Sequence, residues 1–249
     1  MFDEKLMSCH AHLFYLEPAI YLLDKIYDKY RSEIYISLNE DGEDNQKILD
    51  YAKSIFKKVD VVVSPNYGTD QYGFFNSFPR NTEKKEWLLY VHDKVIHRID
   101  WLDSIVDPLL SYDEQKMQEA MSGIKYGIIS TSNWRQSILT EHTITEMCKK
   151  KNMDTRLALV QARHTMSWYR ELQYILLSNT GFICKENINP DFTAGNIFMA
   201  RHKIVQLAHS CVRDNFFEGR YRNDGNVEHA LERFYFYIPY CMNYEVLYV

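Results

Sequence analysis

Three adjacent side chains that can bind phosphate or metal, or move a proton, follow a short apolar run in the first half of the chain. His92, Asp93 and Lys94 come directly after Leu88-Leu89-Tyr90-Val91. The histidine and the lysine can contact a phosphate directly, or the aspartate can hold Mg²⁺ or Mn²⁺ that does so. The sequence leaves both roles open, and a solvated turn after a core strand has the same composition.

A second candidate group lies in a loop rich in turn residues. Asn66 and Asp70 carry an amide and a carboxylate that can bind ribose or sugar hydroxyls, and Gly68 between them allows a ligand to approach the backbone closely. An ordinary turn uses the same residues, because Asn and Asp side chains cap backbone groups. Both interpretations fit the spacing.

Two histidines one residue apart stand in an apolar run near the start. His10 and His12 occupy alternate positions of a predicted strand, so their side chains point the same way. The spacing suits zinc, but the sequence supplies no evident third ligand. We therefore expect at least one of the two to be a core or edge histidine.

The last group with chemical potential lies on a predicted helix. His229, Glu232 and Arg233 lie three and four residues apart, and Asp224 or Asn226 can cap the helix start. This arrangement can direct a carboxylate and a cation into a cleft. A structural ion pair between Glu232 and Arg233 is the alternative.

Alternating strands and helices must position these groups. Apolar periodicity predicts β-α-β-α-β over the first 63 residues, and the fourth strand precedes His92. The predicted elements are a strand and its exit at Leu6–Leu16, a helix at Pro18–Tyr30, a strand at Ile34–Leu38, a helix at Gln46–Lys58 and a strand at Val59–Val63. This order is typical of a parallel sheet, whose strands present a ligand site at their carboxyl ends.

The second half begins with a predicted helical insertion. Residues 111–180 read as helices at Tyr112–Tyr126, Thr140–Lys150 and Thr155–Ser178, with Gly181 ending the last. Mixed structure returns afterwards, with a turn and strand at Asp191–Arg201 and helices at Ile204–Val212 and Val227–Tyr235.

Composition restricts the classes of protein that this chain can be. A net charge of -5 argues against a general nucleic-acid binder. Five scattered cysteines without a CxxC pair favour reduced thiols, and hence a cytoplasmic location. No apolar run approaches the ~20 residues of a membrane span, which leaves peripheral membrane contact open.

Five short motifs in a fixed order carry a family resemblance. They are His12-Leu13-Phe14-Tyr15, Asn66-x-Gly68-x-Asp70, His92-x-Lys94, Ala194-Gly195-x-x-Phe198-x-x-Arg201 and Asp224-Gly225-x-x-x-His229-Ala230-Leu231-Glu232-Arg233. Together they resemble the rhamnan synthesis protein F family, which are glycosyltransferases of bacterial and viral surface polysaccharides. The resemblance covers about Met7–Leu110 and Asp191–Tyr237.

The resemblance implies an α/β glycosyltransferase fold of the A type, a Rossmann-like and mainly parallel sheet, here with a helical insertion. It also implies transfer of rhamnose or a related sugar from a nucleotide-sugar to a hydroxyl of a growing glycan. On this interpretation residues 1–249 are one glycosyltransferase domain. Residues 1–110 form the nucleotide-sugar-binding half, 111–180 the helical insertion and 181–249 the acceptor and catalytic half.

The resemblance also implies roles for individual residues. The implied donor-binding residues are His12, Asn66, Gly68, Asp70, His92, Asp93 and Lys94, with Asp93 as the candidate ligand of Mg²⁺ or Mn²⁺. Gly195, Arg201, His229 and Arg233 would contact the acceptor or phosphate, although Arg201 can equally be an exposed strand end.

Sugar transfer to a hydroxyl also requires a base. We favour Asp224 slightly over Glu232, because a loop residue at a helix start reaches an acceptor more readily. A single base of this kind predicts inversion at the sugar. The rival interpretation is a non-catalytic carbohydrate-binding or scaffold protein on the same fold, with Tyr and Trp side chains stacking on sugars.

Overall fold

The computed structural model describes residues 4–66, 69–80, 85–93, 99–137, 141–151, 154–182, 190–217 and 227–249. Strands and helices alternate over its first part, as the apolar periodicity predicts. These elements are β1 (Met7–Leu13), α1 (Leu16–Lys29), β2 (Glu33–Asn39), α2 (Asn45–Ile55), β3 (Lys58–Ser64), α3 (Thr69–Ser77) and β4 (Trp87–His92).

The remaining described elements mix helices with short strands. They are α4 (Ile99–Leu110), α5 (Glu114–Ser122), β5 (Tyr126–Ser130), β6 (Arg135–Gln136), α6 (Glu141–Lys151), α7 (Thr155–Thr180), β7 (Phe192–Thr193), β8 (Phe198–Arg201), α8 (His202–Ser210), α9 (Val227–Cys241) and β9 (Glu245–Tyr248). Asp154 caps the start of α7 by accepting from two backbone N–H groups, and Gly181 ends it in a left-handed conformation.

Seven of the described strands form one mostly parallel sheet in the order β3-β2-β1-β4-β8-β5-β9. β1 pairs in parallel with β2 on one side and with β4 on the other, whereas β8 runs antiparallel between β4 and β5. The chain therefore leaves β1 in one direction and returns to its other side at β4. Such a switch point is where open α/β sheets bind ligands, outside the carboxyl ends of the strands.

Helices cover both faces of the sheet and divide the core in two. One core lies under α1, α2, α4 and α5, and the other lies under α3, α7, α8 and α9. On β1, Cys9, Ala11 and Leu13 belong to the first core. His10 and His12 alternate with them and so face the second core, toward α3 and α9.

The prediction that residues 111–180 form a helical insertion is wrong at one segment, which forms a strand of the main sheet. Residues 111–180 do contain α5, α6 and α7, but Tyr126–Ser130 forms β5, an interior strand of the sheet. Only five residues form this strand, and a short apolar run of that kind cannot be assigned by periodicity alone. The segment therefore contributes to the main sheet rather than standing apart from it.

Among the described residues, one cysteine departs from the sequence-based expectation. Cys9, Cys148 and Cys211 are free and buried, as expected. Cys241, at the end of α9, is disulfide-bonded, so the prediction of reduced thiols is wrong there. Separately, none of the described helices has both the length and the apolar character that crossing a bilayer requires.

Candidate functional site

The candidate site lies where β1 and β4 end side by side. His12 and His92 are direct partners across this parallel pair, and their side chains therefore lie on the same face. The backbone N–H of Asp93 continues the pairing by donating to the His12 carbonyl at 3.2 Å. The sheet thus delivers two histidines and an aspartate to the switch point.

A buried hydrogen-bonded group that includes His92 lies at this point of the sheet, and we call it the Asp70 cluster. It consists of Asp70, Gln71, Tyr90, His92 and Asn196, all at most 4% exposed. One carboxylate oxygen, Oδ2 of Asp70, accepts from the Tyr90 hydroxyl at 3.2 Å, from Gln71 Nε2 at 3.0 Å and from Asn196 Nδ2 at 3.3 Å. His92 Nε2 lies 3.9 Å from the same oxygen. Residues far apart in sequence therefore converge on one buried carboxylate.

His92 also holds the turn that precedes β8. Its Nε2 bonds to the carbonyl oxygen of Gly195, which can only accept, so Nε2 carries the proton. Gly195 and Asn196 both have positive φ, +97° and +57°. A side chain at Gly195 would meet Trp101 at 2.6 Å, so both the backbone and the space require glycine. Left-handed pairs of this kind are strained and are often found at binding sites.

Asp93 anchors the loop between β1 and α1. Both of its carboxylate oxygens accept from the N–H of Phe14, at 2.9 and 2.8 Å, and Oδ2 also accepts from Tyr15 at 2.8 Å. Burial raises the pKa of the Asp93 carboxyl from 3.8 to about 7, although these N–H donors hold it down in part. Asp93 therefore occupies the anion position before the first turn of α1.

His12 forms the rim of the site on the β1 side. Its Nδ1 lies 3.0 Å from the Ser37 hydroxyl, and its side chain is 5% exposed. Helix α3 packs closely over this pair because it presents Gly73, where a Cβ would lie 2.4 Å from His12 Nδ1 and 2.8 Å from Ser37 Oγ. This close approach brings Asp70, at the start of α3, over the ends of β1 and β4.

Helix α9, which covers the same face of the sheet as α3, contributes a second carboxylate. Glu232 is 9% exposed. Burial raises the pKa of the Tyr90 hydroxyl well above its usual value, and Asp70, Tyr235 and Glu232 add to this shift. Burial and Asp70 raise the pKa of Tyr235 in the same way. Both phenols therefore stay protonated and act as donors at neutral pH. The predicted base candidate on α9 thus lies within electrostatic reach of the Asp70 cluster.

Other predicted site residues lie apart from this cluster. The Arg233 guanidinium stacks on Phe192 at 4.6 Å and bonds back to the carbonyl of His229. Arg201 lies at the opposite edge of the sheet, because it pairs with Trp87 at the start of β4 and forms an ion pair with Glu86. These contacts give Arg233 and Arg201 structural roles.

The remaining predicted residues stand at the margin or outside the described chain. Asn66 is exposed after β3 and donates to Asp41 at 3.1 Å. Gly68, Lys94 and Asp224 lie outside the described residues. The structure therefore joins Asp70, His92 and Gly195 directly, with His12, Asp93 and Glu232 around them.

The described residues do not fit the metal site that Asp93 suggested. Both oxygens of Asp93 are engaged by backbone N–H groups. Within the ranges that the structure describes, no three His, Cys, Asp or Glu side chains are grouped to hold a metal ion. Asp93 therefore supports the loop between β1 and α1, and the reaction proposed below uses no metal held by Asp93.

Sequence reasoning missed three members of the Asp70 cluster. Tyr90 lay in a predicted apolar strand, and Gln71 lay in the loop rich in turn residues. Asn196 had one usable signal, because it follows Gly195 and Gly-Asn pairs favour turns with positive φ. Its Oδ1 is buried without a hydrogen-bond partner, as is Oε1 of Gln71.

No model of a known protein family matches the sequence, and no curated protein matches it either.

Proposed function

We propose that the protein is a glycosyltransferase that moves a sugar, rhamnose or a related one, from a nucleotide-sugar to a hydroxyl of a growing glycan. The observation that carries the proposal is the convergence of His12, Asp70 and His92 at the switch point between β1 and β4. Nucleotide ligands bind at such a point in open α/β sheets. Two of the motifs that resemble the rhamnan synthesis family, those containing His12 and His92, meet on this edge.

The donor would lie across the carboxyl ends of β1 and β4. In this proposal His12 stands at the rim, and Lys94, which follows Asp93 in the sequence, supplies the positive charge for the diphosphate. His92 and Asp93 hold in place the segments that surround the donor, because both side chains are buried and bond to backbone groups of those segments. Direct phosphate contact through Lys94 is thus favoured over a metal held by Asp93.

The acceptor hydroxyl must lose its proton to a base as the new bond forms. In the proposed reaction the acceptor oxygen attacks the anomeric carbon, the bond from that carbon to the diphosphate breaks, and the nucleoside diphosphate leaves with the electron pair. The base is Asp224 or Glu232. Attack from the face opposite the leaving group inverts the configuration at the anomeric carbon.

Variants of the two carboxylates test this assignment. Asp224→Asn and Glu232→Gln remove the charge but keep the size of the side chain, so the true base variant should lose transfer by about a hundredfold or more. Its donor affinity should remain within a few-fold of the unmodified protein, because the base acts on the acceptor. The measurement is release of nucleoside diphosphate in a screen of nucleotide-sugars, with and without acceptor.

The exposed Asp113→Asn serves as the matched control and should leave turnover unchanged, because Asp113 caps the start of α5 and asparagine caps a helix as well as aspartate does. If both carboxylate variants turn over at the unmodified rate, neither residue is the base. If no nucleotide-sugar is turned over but glycans bind, the non-catalytic carbohydrate-binding interpretation is correct instead.

A further inference from the structure

Helix α7 carries an exposed row of arginine and apolar side chains along its outer face. We call this row the α7 stripe; it consists of Arg156, Val160, Arg163, Ser167, Arg170 and Tyr174, all of them exposed. The three arginines recur every seven residues, which keeps them on one side of a helix. At 1.5 Å per residue the stripe extends for about 27 Å.

The opposite side of α7 is the one that packs on the protein. Thr165, Tyr169, Leu172 and Leu176 are its buried residues, and the last three belong to the core shared with α9. The stripe lies about half a helical turn from these residues, so packing within the described part of the chain does not account for its apolar members. Val160 is 44% exposed and Tyr174 69% exposed, and Leu157 beside them is 56% exposed. The outer side of α7 is therefore a mixed surface, in which exposed apolar side chains lie between long basic ones.

The charge of this region differs in sign from that of the whole protein. Residues 141–180 hold six Lys and Arg against four Asp and Glu, for a net charge of +2, whereas the whole chain carries -5. Lys149 and Lys150 are exposed on α6, and Lys149 forms an ion pair with Glu146 at 2.9 Å. Local positive charge on an otherwise acidic protein favours binding of an anionic partner at the surface of α7.

We propose that the α7 stripe docks on an anionic lipid bilayer surface. Arginine guanidinium groups bind phosphate in a bidentate way, and their spacing along one convex ridge suits a flat array of lipid phosphates. Val160, Leu157 and Tyr174 then enter the boundary between headgroups and acyl chains. This binding does not depend on the proposed transfer reaction. It would place the axis of α7 parallel to the membrane surface.

Vesicle co-sedimentation of the full chain tests the proposal. The probes are vesicles of phosphatidylcholine alone and of an equimolar mixture with phosphatidylglycerol, at low and at raised ionic strength. We expect binding to the anionic vesicles only, weakened by salt. Each basic residue near such a surface strengthens binding about fivefold, so the triple variant Arg156→Gln/Arg163→Gln/Arg170→Gln should bind about a hundredfold more weakly.

The matched control is Lys53→Gln/Lys116→Gln/Lys203→Gln, which removes three exposed charges from other helices. It should bind within a few-fold of the unmodified protein. Val160→Ser/Tyr174→Ser should weaken the binding that persists at raised salt. Failure of the unmodified protein to bind anionic vesicles, or an equal loss in the control, would overturn the proposal. Equal binding to soluble poly-glutamate would assign the stripe to an acidic protein instead.

Discussion

Asp70→Ala is expected to lower the free energy of unfolding by about 2–5 kcal/mol, because it removes the acceptor of two buried side-chain amides. The Asp70 carboxylate accepts from Tyr90, Gln71 and Asn196 in a region without solvent access. Removing the carboxylate leaves the amides of Gln71 and Asn196 without this acceptor, and each buried unsatisfied donor costs about 1–3 kcal/mol. The Tyr90 hydroxyl keeps the Asp70 backbone carbonyl as an acceptor at 3.0 Å. Urea unfolding at neutral pH measures the effect.

Asp50→Ala provides the matched control for this substitution. Asp50 lies exposed on α2, and its Oδ1 accepts from Gln46 Nε2 at 2.7 Å. Because water replaces this bond, the control should change the free energy of unfolding by less than about 0.5 kcal/mol. If Asp70→Ala costs no more than Asp50→Ala, the Asp70 cluster does not hold the site together.

His10 and His209 are expected to make the fold labile to acid. Burial, together with the neighbouring His202, lowers the pKa of both side chains from 6.5 to about 3. The unfolded chain therefore binds more protons below pH 6.5 than the folded chain does, and stability falls as the pH decreases from 6.5 toward 3. At about pH 5, each of the two histidines should lower the free energy of unfolding by roughly 2 kcal/mol relative to its value at about pH 7.5.

Single variants measure this effect against a control. His10 stacks on Tyr35 at 4.8 Å, so His10→Phe keeps a ring there, and His209→Gln keeps a polar group near the Tyr235 hydroxyl at 2.8 Å. Each variant should lose about 2 kcal/mol of the acid dependence in urea unfolding. His164→Gln, at an exposed position of α7, should leave the dependence unchanged. An unaltered dependence in both core variants would contradict the assignment.

Asp93 acts on the pH dependence with the opposite sign. Its folded pKa of about 7 lies above the ordinary 3.8, so its contribution to stability is complete below pH 3.8 and is lost as the pH rises through 7. Between about pH 4 and pH 7, this contribution partly offsets the loss of stability caused by the two histidines. The comparison of single variants is therefore informative, because Asp93 contributes equally to the unmodified protein and to each histidine variant.

Local sequence patterns predicted the elements that bear the site. Helical spacing and β-branched runs gave β1 to β4 with α1 and α2 between them, within a few residues of the observed bounds. The rule that parallel strands end at one edge then placed His12 and His92 together. Local signals sufficed here because each element is long enough for its period to appear in the sequence.

The partners of the predicted polar residues could not be read from the sequence. Asp93 was interpreted as a ligand-binding carboxylate, but its oxygens bond to the N–H groups of Phe14 and Tyr15, a contact across β1 and β4. The contact of His92 with Gly195 crosses 103 positions of the chain. Such pairings depend on tertiary packing, which periodicity does not encode. Arg201 was misplaced for a related reason, because the antiparallel direction of β8 moved it to the other edge.

Thermal unfolding in the presence of nucleoside diphosphates tests the central claim most directly. We expect at least one of UDP, TDP and GDP, at a hundred times its Kd, to stabilise the folded protein by about 2.7 kcal/mol and to raise Tm by roughly 5–10 °C. His12→Ala at the rim should abolish the shift, whereas the exposed His164→Ala should retain it. The absence of any shift with all three, with and without Mn²⁺, would contradict a nucleotide-sugar site between β1 and β4.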